Sequence, residues 1–351
     1  MCVTIVTSSS EYVFLSFQLL YIIDSFADIL NFCTLNKMSG IKIITTSTVR
    51  KVLKYEELIP AIERCLVKYS LGKIQQPVRS TVEVEKHEGC LMTMPAYDTV
   101  DDVALLKVIS LYPKNGTTNT APKHQSTILY FLPSTGILAA IIEAHLITYM
   151  RTAAATAVAT KYLAPDNAKV LAIFGAGGQA RSHFQTMNKI HKYEEILVWN
   201  HTTENGEKFC KEISKTFKNV RFCSNAKEAA SNADVIVLVV SSQTPVLKGE
   251  WLKEGVHVNS VGACRPTWRE MDDECMNQCE LYVDSREGAL KESGDIIMCQ
   301  PKKLINGEIG EVIDGRCKVD RNKKTIFKSL GIAAEDLAAG HLVWKNLGSE
   351  I

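Results

Sequence analysis

Apolar residues arrive along this chain in two rhythms, and the change between them divides it. From Thr45 the spacing is helical: Val49 to Leu53 forms a short apolar segment that Ser47 or Thr48 would cap. Tyr55 to Ser70 then sets Leu58, Ile62, Cys65, Leu66 and Tyr69 on one face. Strand-like runs follow at 78–84, 89–94, 103–111, 126–132 and 137–142, with turns around 86–89, 115–116 and 133–136 between them. An alanine-rich helix over 147–163 leads out of this α+β half. Beyond it, short apolar strands (169–174, 195–199, 220–222, 234–240, 256–261 and 281–284) alternate with helix-length segments. Such alternation predicts an α/β, doubly wound parallel sheet. After Gly310 the alternation stops, and Ala333 to Trp344 reads as a helix that crosses back onto the first half.

The predicted organisation is a domain of residues 147–312 and an α+β domain built from 38–146 and 313–351. Residues 1–37 stand apart. Tyr12 to Cys33 is apolar-rich, but Asp24 and Asp28 interrupt it and no Lys or Arg precedes it, so it fits neither a signal peptide nor a spanning helix. Met38-Ser-Gly reads as the more natural start of the fold, with 1–37 as a leader outside it.

The run Val170 to Phe174 ends in Gly175-Ala-Gly177-Gly178-Gln179-Ala180, and a helix pattern to Ile190 follows. Strand, glycine turn and helix in this order form a dinucleotide-binding signature. Gly175 allows the sharp turn, and Gly177 lets backbone approach a pyrophosphate. The phosphates then meet the free N–H groups of the helix start. At the end of the second strand, where NAD sites carry an acid for the ribose 2′-hydroxyl, this chain has Asn200-His201-Thr202. With no carboxylate to repel a 2′-phosphate, the pattern favours NADP(H). The same residues also suit a helix start, with Thr202 or Thr203 as N-cap.

Length and composition narrow the remaining choices. The chain has 351 residues, is 46% hydrophobic and carries a net charge of +1, which gives no hint of nucleic acid or anionic membrane as partner. Eleven cysteines lie scattered without a C-x-x-C pair, which points to a reducing, cytoplasmic setting and offers no metal site.

Three cations stand out against this background. Arg79 lies in Gln76-Pro-Val-Arg-Ser, Lys107 interrupts Val103-Ala-Leu-Leu-Lys-Val-Ile, and Arg151 comes early in the alanine-rich helix. A charge in an apolar run needs a partner. For each alone that partner is an internal salt bridge, or the side chain snorkels. Together beside a dinucleotide fold they would suit a carboxylate ligand. Around Val239 to Pro245, at a sheet edge facing the cofactor, there is no acid or histidine to act as a base. His124 is the histidine best placed by context, although a satisfied structural histidine fits equally, and His87 lies in a solvated turn. The segment Gly262 to Glu270, with Trp268, follows another sheet edge and reads either as the substrate side or as a loop-to-helix junction.

The text from about Met38 onward resembles the ornithine cyclodeaminase/mu-crystallin family. The resemblance is carried by Gln76-Pro-Val-Arg79, Met94-Pro-Ala-Tyr97, His124-Gln125, Arg151-Thr-Ala-Ala and Gly175-Ala-Gly-Gly-Gln-Ala180. Further matches are Trp199-Asn200, Glu204-Asn205, Ala233-Asp-Val-Ile, Val261 through Glu270, Tyr282-Val-Asp-Ser285, Leu290 through Asp295 and Phe327-Lys-Ser-Leu-Gly331. It implies a homodimer formed through the α+β domain, with a Rossmann domain carrying the cofactor. It assigns Arg79, Lys107 and Arg151 to the substrate and the reaction, with Trp268 and Glu270 beside them. Cofactor contacts fall to Gly175, Gly177, Gly178, Gln179, Asn200, His201, Thr202 and Asn205, then Lys123, His124, Arg151, Val240, Ser241, Val261 and Ser329. The reductase branch has Arg where this chain has His201; imidazole grips a 2′-phosphate less firmly, which opens the site to NADH as well as NADPH.

The implied reaction is hydride transfer to the C=N carbon of a cyclic ketimine carboxylate. Lys107, Glu270 and water are the candidate proton sources. A second reading is NADPH-regulated iodothyronine binding without significant turnover. A third, ornithine cyclodeamination, is disfavoured because Ser242 stands where that branch carries Asp.

Overall fold

The computed structural model describes residues 40–115 and 121–348; the leader proposed for 1–37 and Gly116 of one predicted turn lie outside them. In the α+β half the strands are β1 (Lys42–Ile44), β2 (Ile74–Gln75), β3 (Ser80–Val84), β4 (Gly89–Asp98), β5 (Val103–Leu111), β6 (His124–Leu132) and β7 (Ile137–Glu143). β7, β6, β5 and β4 are neighbours in an antiparallel sheet, and β2 and β3 both pair with β4. Arg79 lies just before β3 rather than inside a strand, so its side chain is free of the pleat. The helix before Tyr55 begins at Thr46 with Thr45 at its N-cap, which puts Ser47 and Thr48 inside it rather than at its start.

Helix Tyr55–Ser70 packs through the predicted stripe against the helices His145–Leu163 and Ala333–Gly348, with Leu58, Ile62, Cys65 and Leu66 buried. Helix His145–Leu163 is buried nearly all round, and its alanines let neighbouring elements approach closely. Helix Ala333–Gly348 returns as expected and packs against both helices and against β4 and β5. Among the described residues no helix is long and apolar enough to cross a membrane, and the cysteines are free.

The second sheet is parallel throughout. It comprises β8 (Val170–Phe174), β9 (Glu195–Trp199), β10 (Val220–Phe222), β11 (Val235–Leu238), β12 (His257–Ser260), β13 (Glu280–Val283), β14 (Gly307–Glu308) and β15 (Thr325–Lys328). The order is β10-β9-β8-β11-β12-β15-β13-β14. Its first five positions follow the dinucleotide-binding order, in which the strands diverge beside β8 and leave a crevice at their carboxyl ends. The inner strands are buried on both faces, whereas the edge strand β10 is not. Leu171 and Ile173 feed one layer, and Ala172 and Phe174 feed the other.

β15 departs from the predicted division at residue 313. Thr325–Lys328 is inserted between β12 and β13, so this segment belongs to the parallel sheet and not to the α+β half. A four-residue strand reached through eleven irregular residues after the short helix Ile309–Ile313 carries no local rhythm; its pairing is set wholly by distant residues. From it the chain passes through Ser329 to Gly331 directly into the returning helix, which ties the two sheets together at one point.

Candidate active site

At the carboxyl edge of the parallel sheet, Gly175 adopts φ +127°, a region that excludes side chains, and a Cβ there would stand 3.0 Å from the carbonyl of Val239. The turn therefore lies flush against the end of β11. Gly177 is the N-cap of helix Gly178–Ile190 and has open space on its free side, as a cradle for phosphate requires. Tyr149 from the central helix packs against Gly178.

A cavity of about 290 Å³ opens beside this turn and reaches into the α+β half. Gln179, Val239, Ser241, Val261 and Ser329 form its sheet-edge side. Lys123, His124, Arg79 and Arg151 reach it from the other half, and Met92, Ile109, Leu111, Cys264 and Trp268 complete an apolar wall. Three buried polar atoms among these have no partner: Gln179 Oε1, His124 Nδ1 and Ser329 Oγ. Buried polar groups are nearly always satisfied, so three orphans around one cavity mark the place of a polar ligand. Together with the open cradle at Gly177, they fit a nicotinamide dinucleotide.

Arg79 and Arg151 meet at Gly331, and Lys107 joins them through Asp336. The Gly331 carbonyl accepts from Arg79 Nη2 at 3.1 Å, and a Cβ on this glycine would stand 2.2 Å from Arg151 Nη1. Arg79 also pairs through Nε with Glu292 at 2.8 Å. Arg151 gives Nε to Asp336 Oδ1 at 3.0 Å and Nη1 to Glu335 Oε2 at 2.6 Å. Lys107 Nζ meets the other oxygen of Asp336 at 2.6 Å. The internal salt bridge expected for each cation and the gathering of all three therefore coexist. Lys107 is fully buried, on the face of β5 that carries Ile109 and Leu111, and does not itself reach the cavity wall.

Burial and the neighbouring Arg151 charge bring Lys107 down to about 7. Burial alone would raise Asp336, but Arg151 and Lys107 outweigh it and hold the carboxyl below its ordinary value. Burial lifts Glu335 to about 7. His124 falls to about 4, through burial and the charge of Lys107, so its ring is neutral near pH 7.

Glu270, expected among the substrate contacts, is placed elsewhere. It is wholly buried beneath the loops and absent from the cavity wall. Oε1 accepts from Val240 N at 3.0 Å; Oε2 accepts from Ser260 Oγ and Gly262 N at 2.9 Å and from Ala263 N at 3.2 Å. A carboxylate so engaged is a staple between the ends of β11 and β12, and burial lifts its pKa to about 7. Val240 enters through this staple, by its backbone.

The residues expected at the ribose end lie past β9. Asn200 is buried and donates to the carbonyl of Thr202; Thr202 takes the N-cap position without a side-chain cap bond; His201 and Asn205 are exposed. Ser242 turns back onto Thr244.

The sequence reading missed Asp336, Glu335, Asp284 and Lys328. Asp284 accepts from Leu330 N and Gly331 N, which fixes the turn that the arginines share. Lys328 pairs with Asp295 at 3.1 Å beneath the same floor. The signal was available: two acids in an apolar helix demand partners as much as Lys107 in an apolar strand does.

Gly331→Ala is expected to lower kcat/KM by about 10²-fold, since displacing a positioned group by an ångström has that scale of effect. The substitution meets a φ of +75° and a guanidinium pinned by two carboxylates. Steady-state kinetics beside a melting curve will check it.

Comparison with known proteins agrees with this geometry. The model of the ornithine cyclodeaminase/mu-crystallin family matches residues 41–350. The ketimine reductase mu-crystallin of Macropus fuliginosus is 46% identical over 295 residues, covering 83% of this chain and 92% of the relative. The Δ1-pyrroline-2-carboxylate reductase of Thermococcus litoralis, solved with NADH and L-proline, aligns with a TM-score of 0.84 at 36% identity, covering 88% of this chain and 98% of that one. An archaeal alanine dehydrogenase dimer with bound NAD gives 0.83 at 30% identity, covering 89% and 97%.

Proposed function

Because the chain belongs to the ornithine cyclodeaminase/mu-crystallin family, we propose that it reduces cyclic ketimine carboxylates such as pyrroline- and piperideine-2-carboxylate and their sulfur-containing analogues. It is an NAD(P)H-dependent oxidoreductase of the class that acts on C=N bonds; the finer reading concerns which imine. The observation that carries it is the gathering of Arg79, Lys107 and Arg151 beside a cavity that begins at the glycine turn.

When bound, a reduced nicotinamide supplies the hydride to the imine carbon. Arg79 and Arg151, both on the cavity wall, bind the substrate carboxylate, and a guanidinium fork holds its plane as well as its charge. Met92, Ile109 and Leu111 cover the ring carbons and keep water away. Lys107 adds positive charge behind Arg151; because its ammonium does not reach the cavity wall, the proton that the ring nitrogen takes up is relayed by water. Gln179 and Ser329 offer hydrogen bonds to the cofactor, and Asn200 and Thr202 face its ribose end. With His201 in place of Arg, NADPH is used and NADH is accepted too. Iodothyronine binding rests on the resemblance alone.

The protein works as a homodimer in this reading. Ala104, Leu106 and Phe131 are only half-buried on the outer face of β5 and β6, and an open hollow runs over them from Pro95 and Tyr97; Leu129, paired with Leu106, is half-buried beside it. A second copy of the chain would cover that face.

The direct assay is oxidation of NADPH and of NADH with a panel of these ketimines. Turnover with both cofactors, faster with NADPH, is expected; no turnover with either would end the proposal.

A further inference from the structure

The helix Ala333–Gly348 opens with two acids, Glu335 and Asp336, in its first turn. Acids there complement the helix dipole and ordinarily face water. Here both are fully buried and turn toward cations from other elements. Asp336 is shared, one oxygen to each cation: Oδ2 to Lys107 on β5, Oδ1 to Arg151 on the central helix. Two buried cations without an anion between them would repel, and the lysine, which alone of the two can lose its proton readily, would become neutral.

We propose that Asp336 is the positioning residue of this site, locking Lys107 and Arg151 at a fixed spacing and keeping the lysine charged, so that both act with Arg79 as one receptor for an anionic imine. This rests on the functional reading above. The groups that bear on Lys107 are Arg151 from the central helix, Asp336 from the returning helix and Arg79 from the segment before β3. His124 on β6 is close enough for its own ionisation to be suppressed by Lys107, and is neutral. Glu335 compensates Arg151 from the far side. Arg151 and Arg79 both disfavour the lysine's charge, and Asp336 sustains it. Lys107 loses its charge as pH rises through its pKa, so removal of Asp336 moves that loss to lower pH.

The test is calorimetric binding of pyrrole-2-carboxylate, a planar carboxylate analogue, to the full chain as a function of pH. The wild type is expected to lose affinity on the alkaline side. Asp336→Asn, which keeps the shape and removes the charge, is expected to move that limb down by about one pH unit or more, the scale set by an opposite charge in contact. Asp336→Glu keeps the buried charge balance; it is expected to leave the limb in place and weaken binding severalfold through altered spacing. Lys107→Met is expected to abolish the limb. A limb unmoved in Asp336→Asn overturns the inference, as does one that Asp336→Asn still shifts when Lys107 is already methionine. Failure of the functional reading shows differently: ketimines are left unreduced while the analogue's pH profile still moves.

Discussion

Arg151→Ala is expected to abolish measurable turnover and to lower unfolding stability by about 3–5 kcal/mol, the usual cost of breaking a buried ion pair from one side. The reason lies in what is left behind. Glu335 and Asp336 are both fully buried, and Arg151 is the ion-pair partner of the first and one of two for the second. Truncation leaves Glu335 to take up a proton or remain an uncompensated charge, and leaves Asp336 to Lys107 alone. Arg151→Lys separates function from folding. One ammonium keeps the charge balance, so most of the stability should return. It cannot reach both carboxylates and also present a flat fork to the cavity, since it lacks the rigid geometry of guanidinium. Turnover of Arg151→Lys is therefore expected to stay reduced by about 10²-fold or more, as the loss of one or two charge-assisted bonds implies. Denaturant melts beside steady-state kinetics for the two variants decide the matter. An alanine variant with wild-type stability would show the ion pairs to be ornamental, and a fully active lysine variant would remove the bidentate role.

The parts of this molecule that were legible in the chain are those whose causes are local. Tyr55–Ser70, Val103–Leu111, Glu195–Trp199 and Val220–Phe222 have the bounds that their spacing predicts, because periodicity and flanking turn residues lie within a few positions of each other. The glycine turn was legible for the same reason. β15 was not: Thr325-Ile-Phe-Lys contains a lysine and follows a long irregular segment, and only its place between β12 and β13 makes it a strand. The cation cluster was half legible. Lys107 declared itself by interrupting an apolar run, but its partner is 229 positions away. A rule that a buried charge needs an opposite one finds both ends only when applied to every apolar segment, including the last helix.

The same limit explains Glu270, whose place in the segment Gly262 to Glu270 after a sheet edge suggested contact with substrate while its carboxylate serves the backbone. Glu270→Ala is expected to lower stability by several kcal/mol and to weaken cofactor binding in parallel. It strands the N–H groups of Val240, Gly262 and Ala263 and the hydroxyl of Ser260, and each buried donor left unmade costs about 1–3 kcal/mol. Lys328, 4.0 Å away, keeps Asp295 as its closer partner, so the charge beneath the floor remains balanced and the damage falls on the loops. Those loops carry Ser241 and Val261 into the cavity. Glu270→Gln is milder but no rescue, because its amide turns a donor toward backbone donors. A substrate contact would behave in the opposite way, raising the KM for the imine while stability and cofactor affinity stayed put. Cofactor titration by fluorescence and a urea melt on the same preparations distinguish the two. Loss of imine binding alone would return Glu270 to the cavity wall.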